Sequence, residues 1–582
     1  MKIKNLLFLI LTVCLAFTVS CSDDAIALDP DIQGYADKLV IGKIITMVPN
    51  ASTAEAITIK NGKVQYVGSL TEARKHCDDK TVVENYGKNS IYPGFLEGHL
   101  HGIEVAGRLD QCDLATLDVK PSTTMEDFVN AMAQYVNDNP KRSIYKGAGW
   151  SVRRDVLPTR QMLDTICPKV PMVLSSVDGH SMWLNTVALK KFKYDDPANI
   201  EKFGTDCIRL ESGGFPTGYV SEGAMELARP ALALTKDEYK KNLLKWQDMA
   251  FSYGITGVVE AAISIEDAPV QEAFMELAKE GKWKLRTYAM ENINYTTDNE
   301  KFYGDLNKIL DHTRQYKNEY FRVYGVKIFV DGVVEAHTAW LIDPYADDPT
   351  YYGKKNYPEP TRVADAVAFA NRNGINVHFH AIGDAAVRNA VDGIISGQQQ
   401  AGVSDARNTI VHLQIVRPED VKRIYENHII PVVAPLWVPY DSAYSQHEID
   451  YLGQERFDNE YRIKDFFDLD CPVNFHSDYP VSPDIDMPLT IYCAVTRTDV
   501  QHGPEGVHGP RQAVTRRQAL EAMTFNVAYQ IKEENRLGMI KPGMVANLSI
   551  YDVDFLNAPI EEIPAAKVVA TYVDGNVVYR GK

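Results

Sequence analysis

Two histidines one residue apart, His99 and His101, stand in the run Phe95-Leu96-Glu97-Gly98-His99-Leu100-His101. They are the first residues in the chain whose type and spacing could do chemistry. Side chains two positions apart on a strand point the same way. Two imidazoles projected together can share one divalent cation. Alone, such a pair is equally what a half-buried strand with two polar residues looks like. Later residues shift that balance. His380 closes Ile375-Asn-Val-His-Phe-His, His412 closes Thr409-Ile-Val-His, and Asp478 follows Val473-Asn-Phe-His-Ser. Each sits at the C-terminal end of an apolar run. Imidazoles from three strand ends plus one carboxylate make a nitrogen/oxygen donor set suited to Zn2+ or a similar ion.

Something must carry these strand ends to one place. The middle of the chain alternates short apolar runs with helical stretches, which argues for a parallel β/α architecture. The runs begin at Ser90, Val170, Thr256, Leu285, Gly325, Ile375, Thr409, Ile429 and Pro472. Helices are predicted over 125–138, 236–252, 267–281, 361–373, 384–397, 418–427 and 516–530. About eight units favour a (β/α)8, TIM-like barrel, whose active site is built at the C-terminal ends of the strands. The two chain ends read differently. Lys38–Met47 is a strand-pair candidate. Ala56–Ile59, Asn61-Gly62 and Lys63–Val67 form a hairpin signature, with Asn-Gly supplying the turn. Ala546–Asp552 and a hairpin around Asp574-Gly575 repeat the style near the C-terminus. A single β-sandwich built from both ends is expected. No Gly-rich nucleotide-binding turn and no internal repeat is present.

The 582 residues are enough for a barrel plus a satellite domain. With 45% hydrophobic and 24% charged residues the composition is that of a globular protein. The net charge of -17 argues against nucleic-acid binding through a basic surface. At the N-terminus, Lys2 and Lys4 precede an apolar run from Leu6 to Phe17, too short for a span of roughly 20 residues. Ser20-Cys21 follows. This pattern reads as a signal peptide with Cys21 as the lipidated first residue of a bacterial lipoprotein, although Thr18 departs from the usual Leu. An uncleaved anchor or a plain signal peptide is the other reading. The expected protein is exported and held to the membrane only through the N-terminal lipid, facing the periplasm or at the cell surface. Of eight cysteines none forms a CxxC pair, so zinc-finger and thioredoxin-like readings lack support and buried free thiols are expected. The expected boundaries are 1–21 signal peptide, 22–34 tether, 35–90 first sandwich part, 91–535 barrel with an insertion around 108–240, and 536–582 second sandwich part.

An ordered set of segments resembles the amidohydrolase superfamily, in particular amidohydrolase family 3, its N-substituted formamide deformylase-like branch. The set is Pro93-Gly-Phe-Leu-Glu-Gly-His-Leu-His101, Asp178-Gly-His180 with Trp183 and Asn185, and Pro216-Thr-Gly218 with Glu222. It continues with Val326-Lys-Ile-Phe-Val-Asp-Gly332, His380-Ala-Ile-Gly-Asp384, His412, Ser477-Asp478, Leu537-Gly538 and Lys541-Pro-Gly543. The resemblance implies a metal-dependent hydrolase barrel with a flanking sandwich. It implies His99, His101, His380, His412 and Asp478 as metal ligands. Asp478 would also be the general base on the water. Lys327 stands where relatives can carry a carboxylated lysine bridging two metals; an ordinary barrel lysine in an ion pair is the alternative. His180, Trp183 and Glu222 would line the substrate pocket, His180 also aiding the developing oxyanion, unless His180 and Glu222 are structural.

Three positions depart from the family pattern. Glu97 replaces a common Asp. Glu335-Ala-His337-Thr replaces small residues, so His337 touches substrate or metal or simply faces solvent. Phe475-His476 replaces a smaller pair and would reshape the pocket floor. The function these residues imply is hydrolysis of a carbon–nitrogen bond in a small non-peptide amide, formamide or cyclic amide by a metal-activated water. The divalent metal is expected to be Zn2+, as one ion or two. The alternative is a surface lipoprotein that keeps the barrel as a small-molecule binding module without turnover. Homo-oligomerisation stays open.

Overall fold

The computed structural model describes residues 30–50, 53–118, 123–151, 156–176, 181–441, 445–482 and 484–581. Eight parallel strands pair in chain order: β1 (Phe95–Leu100), β2 (Ile255–Ser264), β3 (Arg286–Asn292), β4 (Phe321–Phe329), β5 (Asn376–Ala381), β6 (Thr409–His412), β7 (Ile430–Val433) and β8 (Asn474–Phe475). Just past the strand ends, two backbone hydrogen bonds join β8 to β1. The N–H of Asp478 donates to the His99 carbonyl (3.2 Å), and that of His101 to the Tyr479 carbonyl (2.8 Å). Gly98 permits the approach, because a Cβ there would come within 2.7 Å of the Phe475 carbonyl oxygen. The architecture is a (β/α)8 barrel.

Helices follow the strands for reasons visible in their sequences. Lys236–Ser252 starts from a capping box of Thr235 and Glu238. It buries Leu243, Trp246 and Ala250, spaced three and four apart. Asp384–Ala401 stops at Gly402, which takes the left-handed conformation. It packs closely on Pro360–Arg372: a Cβ on Gly393 would meet Val363 at 2.2 Å. Strands and helices bury one continuous apolar cluster between them, including Phe95, Val258, Ala289, Val326, Val377 and Ile410.

A seven-stranded sheet draws on both chain ends. Its strand Val82–Pro93 pairs with Lys38–Ile44 on one side and Leu548–Tyr551 on the other, then runs through Gly94 into β1. Arg286 of β3 fastens this sheet to the barrel: its buried guanidinium reaches Asp574 (2.6 Å) and Glu319 (3.0 Å). A six-stranded sheet built within Cys112–Ser221 lies between β1 and β2 in sequence. The apolar run at Val170, expected among the barrel units, belongs to it as Met172–Ser176. That strand pairs antiparallel with Ser181–Leu184, and a connection this short cannot make the crossover a parallel neighbour needs.

Two further details differ from the sequence reading. The helix expected over 516–530 breaks into Arg516–Ala522 and Phe525–Gln530, where Thr524 leaves helical geometry. The helix Asn299–Gln315, which is rich in charged residues and carries an Asp298 cap, was not anticipated. Among the described residues, all six cysteines are free thiols and no helix is long and apolar enough to cross a membrane. Cys21 and the rest of the signal-peptide reading lie outside the described residues.

Candidate metal centre

The barrel places β1, β6 and the turn after β8 around one point. His99 sits near the end of β1, fully buried, and His412 closes β6. Asp478 follows β8. Both His412 and Asp478 take left-handed backbone, with φ of 79° and 57°. That conformation costs a non-glycine residue about 1–2 kcal/mol, and such strain gathers at functional sites.

Nε2 of His99 lies 3.0 Å from Oδ1 of Asp478, and Nε2 of His101 lies 3.3 Å from the same oxygen. Among the described residues, neither His99 Nε2 nor Asp478 Oδ1 has a hydrogen-bond partner, although both are buried; Nδ1 of His412 is in the same state. One ligand atom from each of His99, His412 and Asp478 falls within 4.8 Å of the other two. Leaving buried polar atoms unpaired costs about 1–3 kcal/mol each. One nitrogen from each histidine and one carboxylate oxygen at this spacing could hold a divalent cation, and the donor set is of the kind Zn2+ takes.

The electrostatics favour the same use. Burial holds His99 and His412 well below the ordinary imidazole value, so their lone pairs stay free of protons. Burial and the Lys327 charge lower His380 to about 4. Burial would raise Asp478, but contact with His101 outweighs it, and the carboxyl is held below the usual range. Lys327, on β4, is fully buried and its Nζ has no hydrogen-bond partner among the described residues. Burial lowers its pKa to about 7, against the pull of Asp478. Glu97 is buried and its pKa raised to about 8 by that burial. It accepts the Ser477 N–H at 2.8 Å, tying β1 to the turn that carries Asp478.

The remaining sequence candidates are distributed more widely. His380 stands beside His412, with ring centroids 4.6 Å apart. Its Nε2–H donates to the Gly332 carbonyl at 3.0 Å, which leaves Nδ1 as its lone pair. His337 is set among Tyr345, Tyr351 and Tyr451 and pairs with Asp347 at 2.9 Å. Trp183 is buried against Trp150 in the six-stranded sheet and donates to the Thr159 carbonyl. Glu222 is exposed, just after the last strand of that sheet. His180 lies outside the described residues.

Two histidines at the centre were not singled out as site residues. His378 is buried beside His99, with 2.6 Å between His378 Nε2 and His99 Nδ1. His476 is buried with both ring nitrogens unpartnered, its ring 5.2 Å from that of His99 and 5.0 Å from that of His412. The signal was available: each stands two residues before a chosen residue, and on β5 strand alternation turns His378 to the same side as His380.

Comparison with known proteins agrees with this geometry. Residues 89–579 match the model of the Amidohydrolase family. The chain is 27% identical over 578 residues to Protein LONG AFTER FAR-RED 3 of Arabidopsis thaliana, covering 95% of this chain and 93% of that one. It is 24% identical over 557 residues to N-substituted formamide deformylase of Arthrobacter pascens, covering 93% and 98%. Among solved structures, an uncharacterized metal-dependent hydrolase from Pyrococcus furiosus superposes with a TM-score of 0.70 at 25% identity, covering 89% of this chain and all of that one (100%).

Proposed function

The chain belongs to the amidohydrolase family, and on that premise we propose that it hydrolyses carbon–nitrogen bonds of small non-peptide amides, formamides or cyclic amides. The observation that carries the reading is the convergence of His99, His412 and Asp478, three buried residues with one ligand atom each within 4.8 Å of the others. The name of the Arthrobacter pascens relative supports the formamide class.

His99, His101, His380, His412 and Asp478 would hold Zn2+. A divalent ion in such a site acts as a Lewis acid and lowers the pKa of a water from 15.7 to about 7. Asp478, ionised well below neutral pH, accepts that water's proton at a carboxylate oxygen and returns it to the leaving nitrogen. His180 would donate to the oxygen where charge develops. Lys327, lowered to about 7 by burial, has a neutral amine fraction at neutral pH. Its nitrogen can add CO2, giving a carbamate and releasing one proton, which would supply oxygen ligands for a second ion.

At the N-terminus, the proposal is export and lipid anchoring at Cys21, with no other membrane attachment. The discriminating experiment is a screen of N-formyl, N-acyl and cyclic-amide compounds with added Zn2+, scored for release of the amine or ring-opened product. Turnover of at least one class, lost on chelation, is the expected result. Turnover of esters or phosphoesters alone would overturn the carbon–nitrogen assignment.

A further inference from the structure

We infer that His378 is a positioning residue that fixes the tautomer of His99 and so aims its Nε2 lone pair at the cation. The inference rests on the metal reading of the centre. His378 is fully buried on β5 and lies between two partners. Its Nε2 is 2.6 Å from His99 Nδ1, and the two rings are nearly coplanar, at 10°. Its Nδ1 contacts the Thr409 hydroxyl at the start of β6.

Ring nitrogens 2.6 Å apart share one hydrogen, so one ring donates and the other accepts. Two proton arrangements fit the nitrogen–nitrogen contact. If His378 Nε2–H donates, His99 accepts at Nδ1 and its own proton sits on Nε2, which then cannot ligate. If His99 Nδ1–H donates, His99 Nε2 is a bare lone pair. The proton of His378 then sits on Nδ1, where the Thr409 oxygen can accept it. Only the second arrangement leaves His99 Nε2, 3.0 Å from Asp478 Oδ1, with a lone pair for the cation.

Ligating histidines are commonly oriented through the other ring nitrogen by a carboxylate or a carbonyl. Here an imidazole takes that place. It orients the ring through a second strand of the barrel.

The test is the affinity of chelator-treated protein for Zn2+, measured by competition with a chromogenic chelator. His378→Phe fills the space without accepting a hydrogen bond, and is expected to raise the Kd about 10–100-fold. His378→Gln offers Oε1 to the His99 N–H and is expected to stay within a few-fold of the parent. The melting temperature of each metal-free protein controls for folding. If His378→Phe does not fold, His378→Met takes its place in the comparison. An unchanged Kd for the non-accepting variant, or a Gln variant as weak as it, would overturn the positioning role while leaving the metal centre intact. A parent chain that binds no Zn2+ would instead overturn the metal reading, and this inference with it.

Discussion

His99 Nε2 and Asp478 Oδ1 stand 3.0 Å apart, both buried, neither hydrogen-bonded. They come from opposite ends of the barrel sequence and meet because the seam between β8 and β1 closes there, through Asp478 N–H to the His99 carbonyl and Glu97 to the Ser477 N–H. Asp478→Asn keeps the size and one oxygen but removes the proton acceptor. Turnover of any identified amide is expected to fall about 100- to 10,000-fold, with the melting temperature little changed. Steady-state kinetics on the substrate found in the screen checks it, and an Asp478→Asn protein of near-parent activity would refute the base assignment.

Lys327 yields a second prediction. Its unpartnered Nζ is fully buried on β4. Lys327→Ala should lower bound metal by about one equivalent if a carbamate bridges two ions. Short carboxylic acids added in solution should restore part of it, since they can place a carboxylate in the space left. Metal analysis with and without added acetate or propionate reads both effects. An Ala variant with full metal content would return Lys327 to an ordinary structural role.

A third prediction concerns pH and stability away from the metal ligands. Burial, reinforced by the Glu335 charge, raises Glu448 to about 7. Gln414 bridges Glu448 and Glu460 through one amide nitrogen. A carboxyl whose folded pKa lies above its unfolded value binds more protons when folded. Stability from this group is therefore present below the unfolded value and is lost as pH rises towards 7. Glu448→Gln should melt about 1 °C higher than the parent at pH 8 and equally at pH 4.5. Scanning calorimetry across that window checks the sign. A larger difference at the acid end would contradict it.

For the N-terminus, Cys21→Ser should move the protein from the membrane fraction to the soluble exported fraction. Fractionation followed by immunoblotting decides. A variant that remains in the membrane would exclude lipidation at Cys21.

Much of the fold was legible because its signal is local. Apolar runs gave β2 to β8, and the helices 125–138 and 236–252 appear with the predicted bounds. Each begins with a Thr cap whose partner stands three residues on. The Val170 run was misplaced because a buried strand reads the same in either sheet; only the short link to Ser181 distinguishes them. The helix Asn299–Gln315 was legible too, since its buried Phe302, Leu306, Ile309 and His312 stand four, three and three apart, but charged residues stand between them. At the centre, the strand-end rule found His99, His412 and Asp478. It passed over His378 and His476, although His378-Phe-His380 repeats the spacing of His99-Leu-His101. The rule favours the last residue of a strand, whereas the barrel interior continues one layer deeper.

The central claim, a metal held by His99, His412 and Asp478, is tested most directly by the metal content of protein purified without chelators. About one or two equivalents of divalent metal per chain are expected in the parent, falling steeply in His99→Ala and Asp478→Ala proteins that still melt cooperatively. A parent chain carrying well under one-half equivalent that takes up none on incubation with Zn2+, or His99→Ala and Asp478→Ala proteins with undiminished metal, would contradict it.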